Sequence, residues 1–465
     1  MSDLDPNTSL SVSIVNPMHP CWLPIEIWGF ILLLACGPFE IRQRSLSTRY
    51  ASLRLVYQLI CKHWFELIRA EAEFWDGLFV NEDTEEAEIL LTAHRAKTRA
   101  IHLVVDGEPS SRVSLPFRFI LKTLLPALEA TSNQYGRMTF RTDCASTCAD
   151  IMHWLQRTPS ASVKRVDFEF GPSIPRTLGP LPNFLDASSL TTMDMMGAII
   201  VLPSQSLRSI THLRLRAFNV FNLTRWRMLR DMLRQCVALT HLVLEMVHVT
   251  NLAIFSDPRE TVCLVPKLQH LEIGASRLAT ACLLKALRVP SLKIFVIHCS
   301  GSVEPDFLEG GPDDIGVHID NETLASVEVL EIHVPEPDHR SLKQLIGLFP
   351  RLEVLDLRGA GQYTVASVQE MGLLLSQPLC SNLSRILFGE PISLKMAREI
   401  LLRRPDRYML PGCVLSFEYE DREIFVDEHG STRGRKVVRR GSYRQRGESV
   451  EDIAFLLRPL AELRF

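Results

Sequence analysis

Three histidines recur in one setting. His212, His241 and His270 each precede a Leu-x-apolar triplet, and the leucines that follow them, Leu213, Leu242 and Leu271, are 29 residues apart. Imidazole changes charge near neutral pH and is the commonest protein ligand for metals, so the spacing first raises metal binding or proton transfer. If the triplets are successive strands of one sheet, the rings share a register about 4.8 Å apart. Such a ladder spreads its nitrogens along a line, whereas a metal needs ligands that converge on a point. The histidines therefore read as part of a polar contact face. Cys144, Cys148 and His153 form a second candidate, but Cys-x3-Cys-x4-His inside an apparent helix offers at most three ligands, and buried thiols are the simpler reading. The common phosphate, metal and nucleophile signatures, from Gly-x-x-x-x-Gly-Lys-Ser/Thr to His-Glu-x-x-His and Gly-x-Ser-x-Gly, are missing from the sequence. No catalytic, cofactor-binding or metal-binding residue is assigned, and a non-enzymatic chain is expected.

The elements that would hold the histidines follow from a recurring pattern, apolar-x-x-apolar-x-apolar. Clear instances are Ile210-x-x-Leu213-x-Leu215, Leu239-x-x-Leu242-x-Leu244, Leu268-x-x-Leu271-x-Ile273, Leu292-x-x-Phe295-x-Ile297, Val327-x-x-Leu330-x-Ile332 and Leu352-x-x-Leu355-x-Leu357. Weaker ones begin at Val163, Leu190 and Leu383. Helical stretches separate them, at 224–235, 279–287, 341–348, 366–375 and 395–403. Each strand–helix unit can cover its apolar face only by stacking on the next, so an α/β solenoid is expected over 95–415, with a parallel sheet on the concave face and helices on the convex face. The pattern resembles the leucine-rich repeats. It departs from them where Asn or Cys normally follows the strand: Phe218, Val247, Ser276, Ser300, Pro335 and Ala360 stand there, which predicts irregular turns. A doubly wound α/β domain is the rival architecture, because strand–helix alternation satisfies both.

Residues between and just after the apolar positions fall on the opposite side of each strand. The face expected to read a target comprises His212, Arg214, Arg216, His241, Glu245, His270, Glu272, His298, His333 and Arg358. A long insert at 300–323, rich in Asp, Glu and Gly, is expected to be an exposed loop.

Near the N-terminus, Leu23-Pro24-Ile25-Glu26-Ile27-Trp28 starts a helix favourably, with Pro24 in the first turn and Glu26 at the positive helix end. Ile27, Ile31 and Leu34 follow on one side. A second helical stretch, Tyr50 to Ala70, carries Leu53, Val56, Ile60, Trp64 and Ile68, and ends before Phe74-Trp75. Two or three short helices have too little interior for so many large apolar side chains, so the surplus implies an external partner. Here the sequence resembles the F-box family, in particular the F-box-like proteins abundant in mushroom-forming fungi. The matching residues are Leu23-Pro24-x-Glu26-Ile27-Trp28-x-x-Ile31-Leu32, then Leu59-Ile60-Cys61-Lys62-x-Trp64, Ile68 and Phe74-Trp75; the link at 37–48 is longer than usual. The resemblance implies docking to a Skp-type adaptor on a cullin scaffold through Leu23, Pro24, Ile27, Trp28, Ile31, Leu32, Ile60, Cys61, Trp64, Ile68 and Trp75. It also implies that the repeats bind a target protein for ubiquitin transfer, with a repeat scaffold that has no ligase role as the alternative.

Composition bounds the rest. The 465 residues are 46% hydrophobic and carry 51 basic against 54 acidic residues, so a net charge of -3 gives no general attraction to nucleic acid or to anionic membranes. Eleven scattered cysteines without a Cys-x-x-Cys pair fit a reducing compartment. The apolar run at 28–36 falls well short of the roughly 20 residues a membrane helix needs. A cytoplasmic or nuclear protein is expected, with a flexible segment at 1–19 and an F-box-like module at 20–80. The charged segment at 416–465 is read as a solvated hairpin or a disordered linker, ending in a possible capping helix.

Overall fold

The computed structural model describes residues 25–36, 58–60, 62–70, 72–81, 84–96, 99–107, 120–124, 135–156, 163–175, 177–179, 189–220, 223–249, 261–275, 277–298, 324–333, 348–357, 385–388, 414–426 and 432–444. Leu23, Pro24, Cys61 and Arg358 lie outside them, as do 1–19, the insert at 300–323, the helical stretches at 366–375 and 395–403, and the end of the chain. The chain divides into two compact units: residues 1–106 with 114–136, and residues 107–113 with 137–465. The N-terminal helices thus share a unit with elements beyond residue 80.

In the first unit, α1 (Ile25–Cys36) and α2 (Lys62–Ala70) pack through Trp28 and Trp64, whose ring centroids are 5.3 Å apart. A single 3-10 turn leads into β1 (Gly77–Val80), α3 (Glu86–Ala96) and β2 (Ile101–Gly107). α3 obeys the helix dipole, with Glu86 and Glu88 in its first turn and His94 and Arg95 in its last. Its spacing of Ile89, Thr92, Ala93 and Ala96 puts one stripe inside. β1 and β2 run parallel, Leu78 opposite Leu103 and Val80 opposite Val105. Trp75 locks α2 to this layer: its indole N–H donates to the Ile68 carbonyl at 2.7 Å, and the Arg95 guanidinium lies 4.3 Å from its ring.

The second unit is α/β, and its elements run in chain order as β3 (Tyr135–Thr142), α4 (Ala145–Leu155), β4 (Arg165–Phe170), β5 (Thr177–Leu178), β6 (Thr192–Met196), β7 (Ile199–Ile200), α5 (Ser204–Arg208), β8 (His212–Arg216), β9 (Asn219–Val220), α6 (Leu223–Gln235), β10 (His241–Val249), β11 (Cys263–Leu264), β12 (His270–Ala275), α7 (Arg277–Ala286), β13 (Leu287–Arg288), β14 (Ile294–His298), β15 (Val329–His333), β16 (Val354–Leu357), β17 (Arg385–Phe388), β18 (Val414–Val426) and β19 (Thr432–Arg444). The sheet takes β3, β4, β6, β8, β10, β12, β14, β15, β16, β17 and β18 in that order, every pair parallel. A doubly wound sheet reverses its strand order at a switch point. This one never does, so each strand adds beside the one before it, as in a solenoid.

The repeating apolar positions explain the register. Leu213, Leu242, Leu271, Phe295, Leu330 and Leu355 oppose one another across successive strands, each at most 1% exposed. The anchors ahead of each strand, from Ile210 to Leu352, are equally buried. Two consecutive amides after each anchor donate to one carbonyl of the preceding repeat: those of Thr240 and His241 to Thr211, and those of Gln269 and His270 to Thr240. This fork fixes the step between repeats.

The turns after the strands follow a rule that the missing Asn or Cys conceals. Gly197 and Ala217, each just past its strand, and Met246, at a bulge inside β10, have positive φ of 83°, 52° and 51°. The Ala217 amide donates to the Glu245 carbonyl at 2.9 Å, and Phe218 then turns inward to 3% exposure. Beyond β17, β18 and β19 form a long antiparallel hairpin from Val414↔Arg444 to Val426↔Thr432, which selects the hairpin from the two expectations for this charged segment.

Candidate functional site

Two surfaces stand out, one in each unit. On the first, Ile27 is 45% exposed, Phe30 62%, Ile31 39%, Leu59 85% and Ile60 54%. Ile27, Phe30 and Ile31 sit three and four apart on α1, which places them on one helix face. Large apolar side chains grouped on a surface in this way mark a contact site. The other residues matched to the F-box pattern behave differently. Trp28 and Trp64 are half-buried against each other, while Leu32, Ile68 and Trp75 are at most 2% exposed and form the interior that holds the helices together. Phe30 and Phe65, outside the expected set, are exposed as well. For Phe30 the usable signal was its helical spacing from Ile27.

On the second surface, each strand turns its polar residues away from the leucines. Along the first outward row, Arg137, Arg165, Thr192, His212, His241 and His270 are successive partners. The imidazoles stack, with centroids 4.2 Å apart for His212–His241 and 5.4 Å for His241–His270, tilted by 13° and 23°. Their tautomer follows from the neighbours. The Thr211 hydroxyl donates to the Thr191 carbonyl at 3.1 Å and lies 2.9 Å from His212 Nδ1, so it accepts the Nδ1–H; Thr240 does the same between Thr211 and His241. Nε2 is left as an acceptor on both rings. Burial, followed by neighbouring His270 and Arg165, lowers the His212 pKa, and burial with His212 and His270 lowers that of His241. Parallel rings hold parallel lone pairs, a geometry that does not chelate a metal.

The remaining rows are charge ladders. Asp167 is bound by Arg137 at 2.8 Å, by Arg165 at 2.9 Å and by the Thr139 hydroxyl at 3.2 Å. Arg216 bridges Asp194 at 3.0 Å and Glu169 at 3.2 Å, and Arg141 reaches Glu169 at 2.7 Å. Arg214 pairs with Glu245. Sequence alternation makes all of these outward-facing, yet Arg141, Asp167 and Asp194 are 3%, 3% and 6% exposed, because their long neighbours fold over them. Burial raises the Asp194 pKa against the pull of Arg216, and Asp194 in turn raises the Arg216 pKa against its own desolvation. Toward β15 a second stack appears: His298 and His333 lie 4.2 Å apart, and His298 Nε2 meets Glu272 at 3.0 Å, which lowers the Glu272 pKa. His333 reaches Glu331 at 3.7 Å.

Of the residues expected to read a target, Arg358 lies outside the described residues and the other nine lie on this face. Among the described residues Cys144, Cys148 and His153 are not gathered as a metal-holding group; Cys148 is buried as expected, while Cys144, at the N-cap position of α4 without a side-chain cap bond, is half-buried. Among the described residues no helix is long and apolar enough to cross a membrane. No family model matches the chain, and no curated protein matches it.

Proposed function

We propose that the chain is a non-enzymatic substrate-recognition adaptor of a Skp-cullin-F-box type ubiquitin ligase, acting in the cytoplasm or nucleus. On this reading the N-terminal helices are an F-box-like module that docks to a Skp-type adaptor on a cullin scaffold. The second unit is a leucine-rich-repeat-like solenoid whose polar sheet face holds the target protein. The observation that carries the reading is the exposure of Ile27, Phe30, Ile31, Leu59 and Ile60 over a well-buried Leu32 and Ile68. Burying a large aliphatic side chain is worth about 1.5–3 kcal/mol, so covering these residues would drive association strongly. A protein target also fits the polar face better than nucleic acid does, since Arg137, Arg141, Arg165, Arg214 and Arg216 are each committed to carboxylates.

Co-expression with a Skp-type adaptor followed by gel filtration tests the proposal: one co-eluting complex is expected, and separate elution overturns it. The second reading, a repeat scaffold without ligase role, draws on Trp75, whose bonds to Ile68 and Arg95 give the helices a structural task of their own. Under that reading the chain binds targets normally and recruits no ubiquitin machinery.

A further inference from the structure

The sheet face of the second unit changes character between β8 and β10. In β3, β4 and β8, Arg137, Arg141, Arg165 and Arg216 are committed to carboxylates of that half, and Arg214 reaches Glu245 of β10. Strands β10, β12, β14, β15 and β16 contain neither lysine nor arginine, yet they carry Glu245, Glu272, Glu331 and Asp356. Lys293, just ahead of β14, is paired with Glu328 at 3.9 Å. The outward residues of this half sort into rows that cross the strands. Ile294, Val329 and Val354 are successive partners in the first row, all half-buried, and extend the histidine row as a strip of β-branched side chains. Two residues further along each strand, Glu331 and Asp356 are partners, and Glu272 lies in the same row across Val296. The Glu272 and Glu331 side chains keep 22% and 33% exposure, so both can be reached from solvent. His298 and His333 close the patch in the third row.

We propose that this half of the face is the docking surface for a basic amphipathic segment of the target protein, its apolar side chains on the Ile294–Val329–Val354 strip and its lysines or arginines on the carboxylate row. The inference rests on the reading in which the sheet face holds the target, and names that target's chemistry. An ionised carboxylate only accepts hydrogen bonds, so its complement must donate, and ammonium and guanidinium groups do so with matching charge. Among the described residues no three acidic, histidine or cysteine side chains gather to hold a metal ion, which leaves an organic cation as the fit. Nucleic-acid phosphates, or the same face of a second copy, would meet these carboxylates with like charge, which opposes both. The apolar strip supplies contact area, and the acidic row sets which partners are admitted.

The test is fluorescence anisotropy of the folded full-length chain with dye-labelled peptides of about ten residues. One alternates lysine and leucine, one glutamate and leucine, and one lysine and serine. The lysine–leucine peptide should bind at least about tenfold more tightly than either of the others. E331Q should weaken it about tenfold and V329T several-fold, both being size-preserving changes at partly exposed positions. E88Q, which removes the same charge from an exposed position on α3, should leave binding unchanged. Equal binding of the lysine–leucine peptide and either other, no binding of any, unaltered binding by E331Q and V329T, or a loss in E88Q matching that in E331Q overturns the inference. None of these outcomes bears on the N-terminal helices, so co-elution with the Skp-type adaptor remains a separate test of the ligase reading.

Discussion

The ring of His212 stacks on that of His241 at 4.2 Å, and each Nδ1 faces the hydroxyl of the threonine just before it. Protonating either ring places a cation beside another imidazole in a partly desolvated row, which is why both pKa values lie below the ordinary histidine value. The unfolded chain therefore binds protons more readily than the folded one. Stability from this pair is complete above the unfolded value of about 6.5 and falls as pH drops through it. Urea unfolding at pH 7.5 and 5.5 should show this loss, and H212Q with H241Q should flatten it. An unchanged pH dependence in the double variant would remove the ladder from the account.

Asp167 tests the charge ladder. It is 3% exposed and accepts from Arg137, Arg165 and Thr139, so Asp167→Ala leaves cations without their counter-charge in a nearly closed layer. A loss of about 3–5 kcal/mol is expected in chemical denaturation. A loss below about 1 kcal/mol would show that water already screens the network, as for exposed pairs.

Met246 is 43% exposed and holds φ at 51°, a region where a side chain is strained and glycine is not. Met246→Gly should therefore raise stability by about 0.5–1 kcal/mol, read from the denaturation midpoint. Destabilisation would mean that the methionine packs more than its exposure indicates.

The architecture was legible because one constraint repeats. Leucines at a fixed offset can be buried together only if each strand lies beside the last, and that gave both the register of Leu213, Leu242 and Leu271 and the alignment of His212, His241 and His270. The turns were less legible: Ala217 and Met246 are ordinary residues in left-handed backbone with no local sequence mark, and only the Ala217 amide is seen to bond the next strand, at the Glu245 carbonyl. Asp167 and Asp194 were outside the face expected to read a target, and strand alternation could not show that Arg137 and Arg216 would cover them. In the N-terminal helices, helical spacing gathered Ile27, Ile31 and Leu34 on one helix and Ile60, Trp64 and Ile68 on the other, while Leu32 entered only through the F-box resemblance. Only the packing around Trp75 separates the residues that face inward from those left outside.

Ile27 and Ile60 therefore bear most directly on the proposed docking. The measurement is the affinity of purified chain for an immobilised Skp-type adaptor, comparing the unaltered protein with Ile27→Asp plus Ile60→Asp and, as a control, with Glu245→Gln on the sheet face. The account predicts at least about a hundredfold loss for the helix variant, since two exposed anchors would become desolvated charges, and no change for the control. Equal binding by all three proteins, or none by the unaltered chain, would contradict it.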